Sequence, residues 1–382
     1  MSGLLQPFTG FIPASEFAHR VVGPPASMLS AEQQEEARRD PLSFRFSLGR
    51  GARASHDEAV AWLKGCQEQG ALRQVGPAVL VYRQTDGHDS VTGIVADVSR
   101  QAYDSGLVKR HEKTVGKTQR KMAKYIRSTR VYGNPVALAH RRYADIDAVI
   151  EAHLGRAADS TFTGAVGASH ELWVVAGSEA EELCRTFDAS LYIIDGHHRL
   201  AAASAVAAEE GRMDGHFPAG LFSTTKLRLR SFARCVFDPD LDAPAIVDRL
   251  TKEHRMEEVS EAEARPRMRF EFGVKVRERY FRLRLGGGEL SNSALLDVDL
   301  LQNQILGPVF GIADPSTDRR LKFVADLPER GEPDSAADAW LLPFPLSVGD
   351  MMTAADSGRV MPPKSTWFAP KLPSGLSIQL LD

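Results

Sequence analysis

Apolar residues along this chain fall into runs of two periods. Ala78–Arg83 and Val91–Val98 are continuous or alternating apolar stretches and predict two β-strands. The polar stretch Gln84–Ser90 between them, with Asp86-Gly87, predicts a hairpin loop. Leu191-Tyr192-Ile193-Ile194 predicts a buried strand, and Leu172-Trp173-Val174-Val175 another, with Ser169-His170-Glu171 at its start. Leu200–Ala208 is built from strong helix formers closed by Gly211 and predicts a helix. Ser30 and Ser55 read as N-caps of two further helices, the second ending near Gly70. Beyond Pro239-Asp240 the pattern predicts a helix over Ala243–His254. A β-meander turning at Gly286-Gly287-Gly288 and a helix over Val298–Leu306 follow.

These elements suggest an α+β protein in three regions. Residues 1–75 read as a helical and loop-rich N-terminal part, 76–238 as a central core and 239–382 as a C-terminal α+β part. A formal net charge of −3 argues against a protein that coats nucleic acid. Cys66, Cys184 and Cys235 are far apart and lack metal or disulfide spacing, as in a reducing compartment. The first residues carry no basic, apolar leader, and no run approaches the roughly 18 apolar residues of a spanning helix, so a cytoplasmic protein is expected.

Candidate chemistry concentrates at Asp195-Gly196-His197-His198-Arg199, between the strand ending at Ile194 and the helix beginning near Leu200. A strand, a glycine turn and a helix start offer unpaired backbone N–H groups and the positive end of the helix dipole to an anion. Arg199 adds a planar donor fork suited to phosphate oxygens. Two histidines and an aspartate exceed what anion binding needs.

A second constellation spans residues 109–130, with nine Lys or Arg and the single acid Glu112. On a helix, Lys113, Lys117, Lys121 and Lys124 fall on one side, opposite Val115, Met122 and Ile126. Such a stripe is either a solvated face or an electropositive wall for a polyphosphate. Gly116-Lys117-Thr118 imitates the end of a P-loop, but the first glycine that motif requires is replaced by His111. Opposite charge around Glu112 favours its carboxylate form. Near a phosphate site it could accept the proton of a substrate hydroxyl.

The order His111-Glu112, Asn134-Pro135-Val136 and then Asp-Gly-His-His-Arg resembles the ParB/sulfiredoxin superfamily. The Gly-Cys-His-Arg turn of sulfiredoxin is matched by Gly196–Arg199, with His197 in place of the nucleophilic cysteine, which removes sulfinic-acid repair. A closer likeness, over nearly the whole chain, is to the bacterial family known as domain of unknown function 1015. Asp40-Pro41-Leu42-Ser43-Phe44, Thr92-Gly93-Ile94-Val95, Arg110–Thr114, the Asp195–Arg199 turn and Met361–Phe368 carry it. Two departures from the family are Ala26-Ser27-Met28 after Pro24-Pro25, and Lys117-Thr118-Gln119-Arg120. They put serine in doubt as the acceptor.

The resemblance implies a ParB/sulfiredoxin-like mixed core with N-terminal and C-terminal α/β elaborations. It implies a relative of kinases that phosphorylate free L-serine with ATP or ADP. On that reading Gly196, His198, Arg199, His111, Lys113 and Lys117 bind nucleotide, and Glu112 is the base. Asp195 either holds Mg²⁺ or hydrogen-bonds the turn, and His197 acts in catalysis as a phosphate ligand or a transient nucleophile. The expected partners are a nucleotide and a small hydroxylated substrate, without membrane or nucleic acid, with a homodimer as the allowed assembly. The alternatives are a nucleotide-binding ParB-like switch or DNA partner without kinase activity, and a metal-dependent hydrolase using His197 and His198. Lys364, between Pro362-Pro363 and Trp367-Phe368, is either part of a rigid loop or a reach into the site.

Overall fold

The computed structural model describes residues 3–49, 54–87, 89–112, 114, 116–212, 215–238, 240–285, 296–326, 336–362, 364–369 and 371–381. The chain divides into two units. The first comprises Met1–Arg110, Thr114–Leu227 and Pro370–Asp382, and the second His111–Lys113 and Arg228–Ala369. Residues 1–75 and most of 76–238 fall together in the first unit. Hydrogen bonding explains this, because the N-terminal strands pair directly with strands of the central core.

In the first unit the strands are β1 (Leu5–Gln6), β2 (Phe8–Pro13), β3 (Leu72–Asp86), β4 (Asp89–Ser99), β5 (Val108–Lys109), β6 (Val131–Tyr132), β7 (Val136–His140), β8 (Ser160–Thr163), β9 (Ser169–Ala176), β10 (Leu191–Asp195) and β11 (His216–Ser223). One sheet runs in the order β5-β10-β7-β11-β4-β3-β9-β8, with β1 added to β4 and β2 to β3. It is mixed: β10 is parallel to β5 and β11 parallel to β7, and the other pairs are antiparallel. Its core gathers Val79, Val81, Ile94, Leu138, Trp173, Ile193 and Leu221, each a fully buried apolar side chain. Burial of each contributes about 1.5–3 kcal/mol for the larger aliphatics.

The β3–β4 hairpin is longer than the apolar pattern predicts. The polar residues Gln84–Asp86 continue the ladder to the pair Asp86↔Asp89, leaving a far shorter turn than Gln84–Ser90. Thr85 and Asp86 sit at the solvent-facing strand end, where backbone pairing tolerates polar side chains, whereas Gln84 is buried.

Helices of this unit are α1 (Ser15–Val21), α2 (Ala31–Arg39), α3 (Phe44–Ser47), α4 (His56–Glu68), α5 (Arg100–Asp104), α6 (Gly116–Thr129), α7 (Ala144–Leu154), α8 (Ser178–Thr186) and α9 (His197–Glu209). Ser30 and Ser55 cap α2 and α4 as expected, each in a reciprocal capping box, with Gln33 and Glu58 respectively. The basic segment is shorter as a helix than expected, because Val108–Lys109 is a strand and α6 starts only at Gly116. Ala123 and Ile126 of α6 pack on Ala202, Ala203 and Val206 of α9, while Lys117, Lys121 and Lys124 are exposed. Alanines on α9 allow this close approach. Val115 and Lys113 lie outside the described residues.

The second unit holds β12 (Arg228–Arg230), β13 (Phe232–Val236), β14 (Arg255–Val259), β15 (Glu271–Val276), β16 (Arg279–Arg284), β17 (Leu321–Ala325), β18 (Ala339–Pro343) and β19 (Trp367–Ala369). Six of these form a sheet in the order β14-β16-β15-β18-β13-β17, and β12 pairs with β19. α10 (Ala243–Glu253) matches its expectation, capped by Asp242. The helix expected over Val298–Leu306 runs from Asp297 to Phe310 and contains a π turn over Leu301–Leu306. The Gly286–Gly288 turn lies outside the described residues.

After β19 the chain rejoins the first unit as a C-terminal strap ending in β20 (Gln379–Leu380), which pairs with β6. Ile378 bridges Phe11, and Ser374 and Gly23 exchange two backbone hydrogen bonds.

Candidate functional site

The turn Asp195–Arg199 is built as the sequence suggests. β10 ends at Asp195, Gly196 adopts a left-handed conformation at φ 102°, and α9 begins at His197. Glycine is required twice over: the conformation disfavours any side chain, and a Cβ would lie 2.9 Å from both Val136 Cγ1 and Arg199 Nε. Leu200 N donates to Gly196 O at 2.9 Å, closing the first helical turn. The amides of His197, His198 and Arg199 precede that bond, at the positive end of the helix. His197 is buried, His198 half-buried.

The side chains at this turn are arranged differently from the expectation. Arg199 Nη1 donates to Pro135 O at 2.6 Å and Asn134 O at 3.2 Å, and Nη2 binds Asp195 Oδ2. Lys371 of the C-terminal strap donates to Asp195 Oδ1 at 2.8 Å. Ser374 Oγ, three residues further along the strap, donates to Asn134 Oδ1. Asp195, Arg199, the Asn134-Pro135 loop and the strap therefore form a closed polar ring around the turn. Both carboxylate oxygens of Asp195 are engaged by cations. In this structure Asp195 bonds Arg199 of the turn and Lys371 of the strap. The Arg199 fork faces carbonyl and carboxylate oxygens, so its work in this structure is to clamp the turn.

Lys117 stands exposed in the first turn of α6, and two residues on Gln119 Nε2 donates to Ala201 O of α9 at 3.3 Å. That contact sets the start of α6 against the first turns of α9.

His111 and Glu112 belong to the second unit. His111 is buried, burial pushes its pKa down to about 4, and its Nε2 lies 3.3 Å from Thr366 Oγ1. Met361 N donates to His111 O at 2.8 Å, and Glu112 bridges Met361 in parallel register. The conspicuous C-terminal block Met361–Phe368 thus acts as the template that holds the His-Glu segment extended. Lys364 is exposed with Nζ 5.2 Å from the Phe232 ring centroid, and Trp367 meets the same ring edge-on at 5.4 Å. The rigid-loop reading of Lys364 fits this packing. Lys113 lies outside the described residues.

The strap residues Lys371 and Ser374 are absent from the sequence reading. One signal was available: a lysine set among Pro370, Leu372 and Pro373, a rigid apolar setting in which a cation needs a partner.

Among the described residues no helix is long and apolar enough to cross a membrane. Curated protein sequences contain no match. Similar solved structures include a free serine kinase in complex with AMP, at 17% identity, covering 75% of this chain and 91% of that chain with a TM-score of 0.42. A variant of that kinase in complex with ADP gives 17%, 75%, 92% and 0.42. SbnI with a C-terminal truncation, from Staphylococcus aureus, gives 12%, 75%, 87% and 0.43. The family profile described as "Protein of unknown function (DUF1015)" matches residues 5–299, and the chain belongs to that family.

Proposed function

We propose that this protein is a small-molecule kinase that transfers a phosphoryl group from ATP or ADP to the hydroxyl of a free amino acid or related metabolite. The observation that carries the reading is the turn itself: a left-handed Gly196 that leads straight from a strand into the positive end of a 13-residue helix. This reading takes the core of the first unit as ParB/sulfiredoxin-like, as the motif order suggests.

The His197, His198 and Arg199 amides would receive the terminal phosphates, with Lys117 and Lys113 supplying positive charge. Preorganised donors of this kind favour the charge that spreads over the transferring oxygens. Glu112 would take the acceptor's hydroxyl proton. The new P–O bond forms to that oxygen as the bond to the nucleotide's bridging oxygen breaks, leaving ADP or AMP. A Mg²⁺ ion carried on the nucleotide's phosphates belongs to the substrate and needs no carboxylate from Asp195. His197, buried at the start of α9, would act as a phosphate ligand or a transient nucleophile.

Transfer of labelled phosphate from ATP and from ADP across a panel of hydroxy amino acids tests this. Transfer by the wild type and none by Glu112→Gln is expected. No transfer by the wild type, or full activity in Glu112→Gln, refutes it. Tight nucleotide binding without turnover would favour the switch instead.

A further inference from the structure

A buried polar cluster in the first unit is left unused by the kinase reading. Gln84 on β3 and His170 on β9 are direct cross-strand partners, and Phe162 on β8 faces His170 from the other side. Tyr82, two residues before Gln84, shares their face. Tyr82, Gln84 and His170 retain only 1%, 7% and 5% of their exposure. Burying three polar side chains on a core sheet is costly unless each finds a partner.

Their mutual bonds satisfy only part of them. Tyr82 Oη lies 2.9 Å from Gln84 Oε1 and 2.8 Å from His170 Nδ1. The hydroxyl has one proton, which goes to Gln84 Oε1, so His170 Nδ1–H donates to Tyr82. What remains is His170 Nε2 as an acceptor and the Gln84 amide nitrogen as a donor. With the amide reversed the roles exchange, and one donor and one acceptor still remain. A hydroxyl group, itself donor and acceptor, complements either arrangement.

Both residues line a cleft walled by Val22, Met28, Gly164 and Lys371. Its space for a water-sized group is about 20 Å³. The floor thus takes one hydroxyl-sized group, and the rest of a ligand would have to lie outside it, along Val22 and Met28. Gly164 keeps the floor open, since a Cβ there would lie 2.9 Å from His170 Nε2. Phe162 stacks on the imidazole at 4.6 Å and 15°, fixing the ring.

We propose that this cleft is a binding site for a small hydroxyl-bearing molecule, read by His170 Nε2 and the Gln84 amide, with its apolar part against Val22 and Met28. The site goes beyond the kinase reading and needs no nucleotide. It is nevertheless tied to the phosphate turn, because the wall residue Lys371 bonds Asp195.

Long-range ¹H–¹⁵N spectra of the histidine rings in the full chain provide the test. The probes are L-serine against L-alanine, L-threonine against L-2-aminobutyrate, and glycerol, each without nucleotide. At least one hydroxyl compound is expected to shift His170 Nε2, its deoxy counterpart to bind about tenfold or more weakly, and Gly164→Ala to abolish the shift. Gln84→Leu provides a second variant should Gly164→Ala unfold, and is expected to weaken binding similarly. If no probe shifts His170, or the deoxy compounds shift it equally, the cleft holds a structural water only and the proposal is overturned. A silent His170 alongside active phosphoryl transfer would overturn this site and leave the kinase reading standing.

Discussion

Replacing Asp195 by Asn keeps the shape of the turn and removes the charge that holds it. Two cations then face each other across a neutral amide: the Lys371 side chain, 10% exposed, and Arg199, 23% exposed, with Asp195 itself at 32%. Fully exposed pairs contribute about 0–1 kcal/mol, and breaking fully buried ones costs about 3–5 kcal/mol. This partly buried arrangement lies between, and we expect Asp195→Asn to cost about 2 kcal/mol. For a body of this size that is roughly 4–8 °C in thermal midpoint. The ring also predicts the pattern of a double-mutant cycle. Lys371→Met added to Asp195→Asn relieves the like-charge contact, so the double variant should be no less stable than the single, with a coupling of about 1 kcal/mol or more. Calorimetric unfolding of the four proteins measures both quantities. A cost below about 0.5 kcal/mol, or additive effects, would refute the ring as the support of the turn.

Further outcomes follow from other positions. Gly196→Ala should destabilise the turn by about 1–3 kcal/mol and weaken ADP binding, because the new methyl meets Val136 at a left-handed φ; unchanged binding would contradict the geometry. Asp97 is buried with its Oδ2 on Gln379 Nε2 at 2.8 Å, and burial raises its pKa to about 7. Its folded pKa exceeds the unfolded value of about 3.9, so the stability it contributes is full below about pH 4 and lost as pH rises through 7. Asp97→Asn should flatten that loss and be more stable than wild type at pH 8 by on the order of 3 kcal/mol, measured by urea unfolding across pH. The Glu112→Gln variant should bind ADP within about twofold of wild type while losing at least about 100-fold in phosphoryl transfer, read by titration calorimetry and initial rates. Equal loss in both would make Glu112 structural.

The Asp195–Arg199 turn was legible because everything that makes it is local: an apolar strand, one glycine and an alanine-rich helix close together in sequence. The serine caps of α2 and α4 were legible for the same reason. The clamp on the turn was not. Arg199 reads as a phosphate ligand in sequence, and its partners in this structure, Asn134 and Pro135, come from a loop about 65 residues earlier. Lys371 lies 176 residues from Asp195. The pairing of β1 and β2 with the central strands, and the return of the strap, were not legible either, because they are long-range events. His170 looked like the mere start of a strand, because only the register opposite Gln84 and the opening at Gly164 give it a role.

The central claim is that nucleotide phosphates sit on the first amides of α9. The direct test is ¹H–¹⁵N amide spectroscopy of the full chain titrated with ADP and, separately, with adenosine. ADP should shift the amides of His197, His198 and Arg199, with an affinity that falls as salt rises, and adenosine should leave them in place. ADP binding that leaves those three amides unmoved, or no ADP binding at all, would contradict the account.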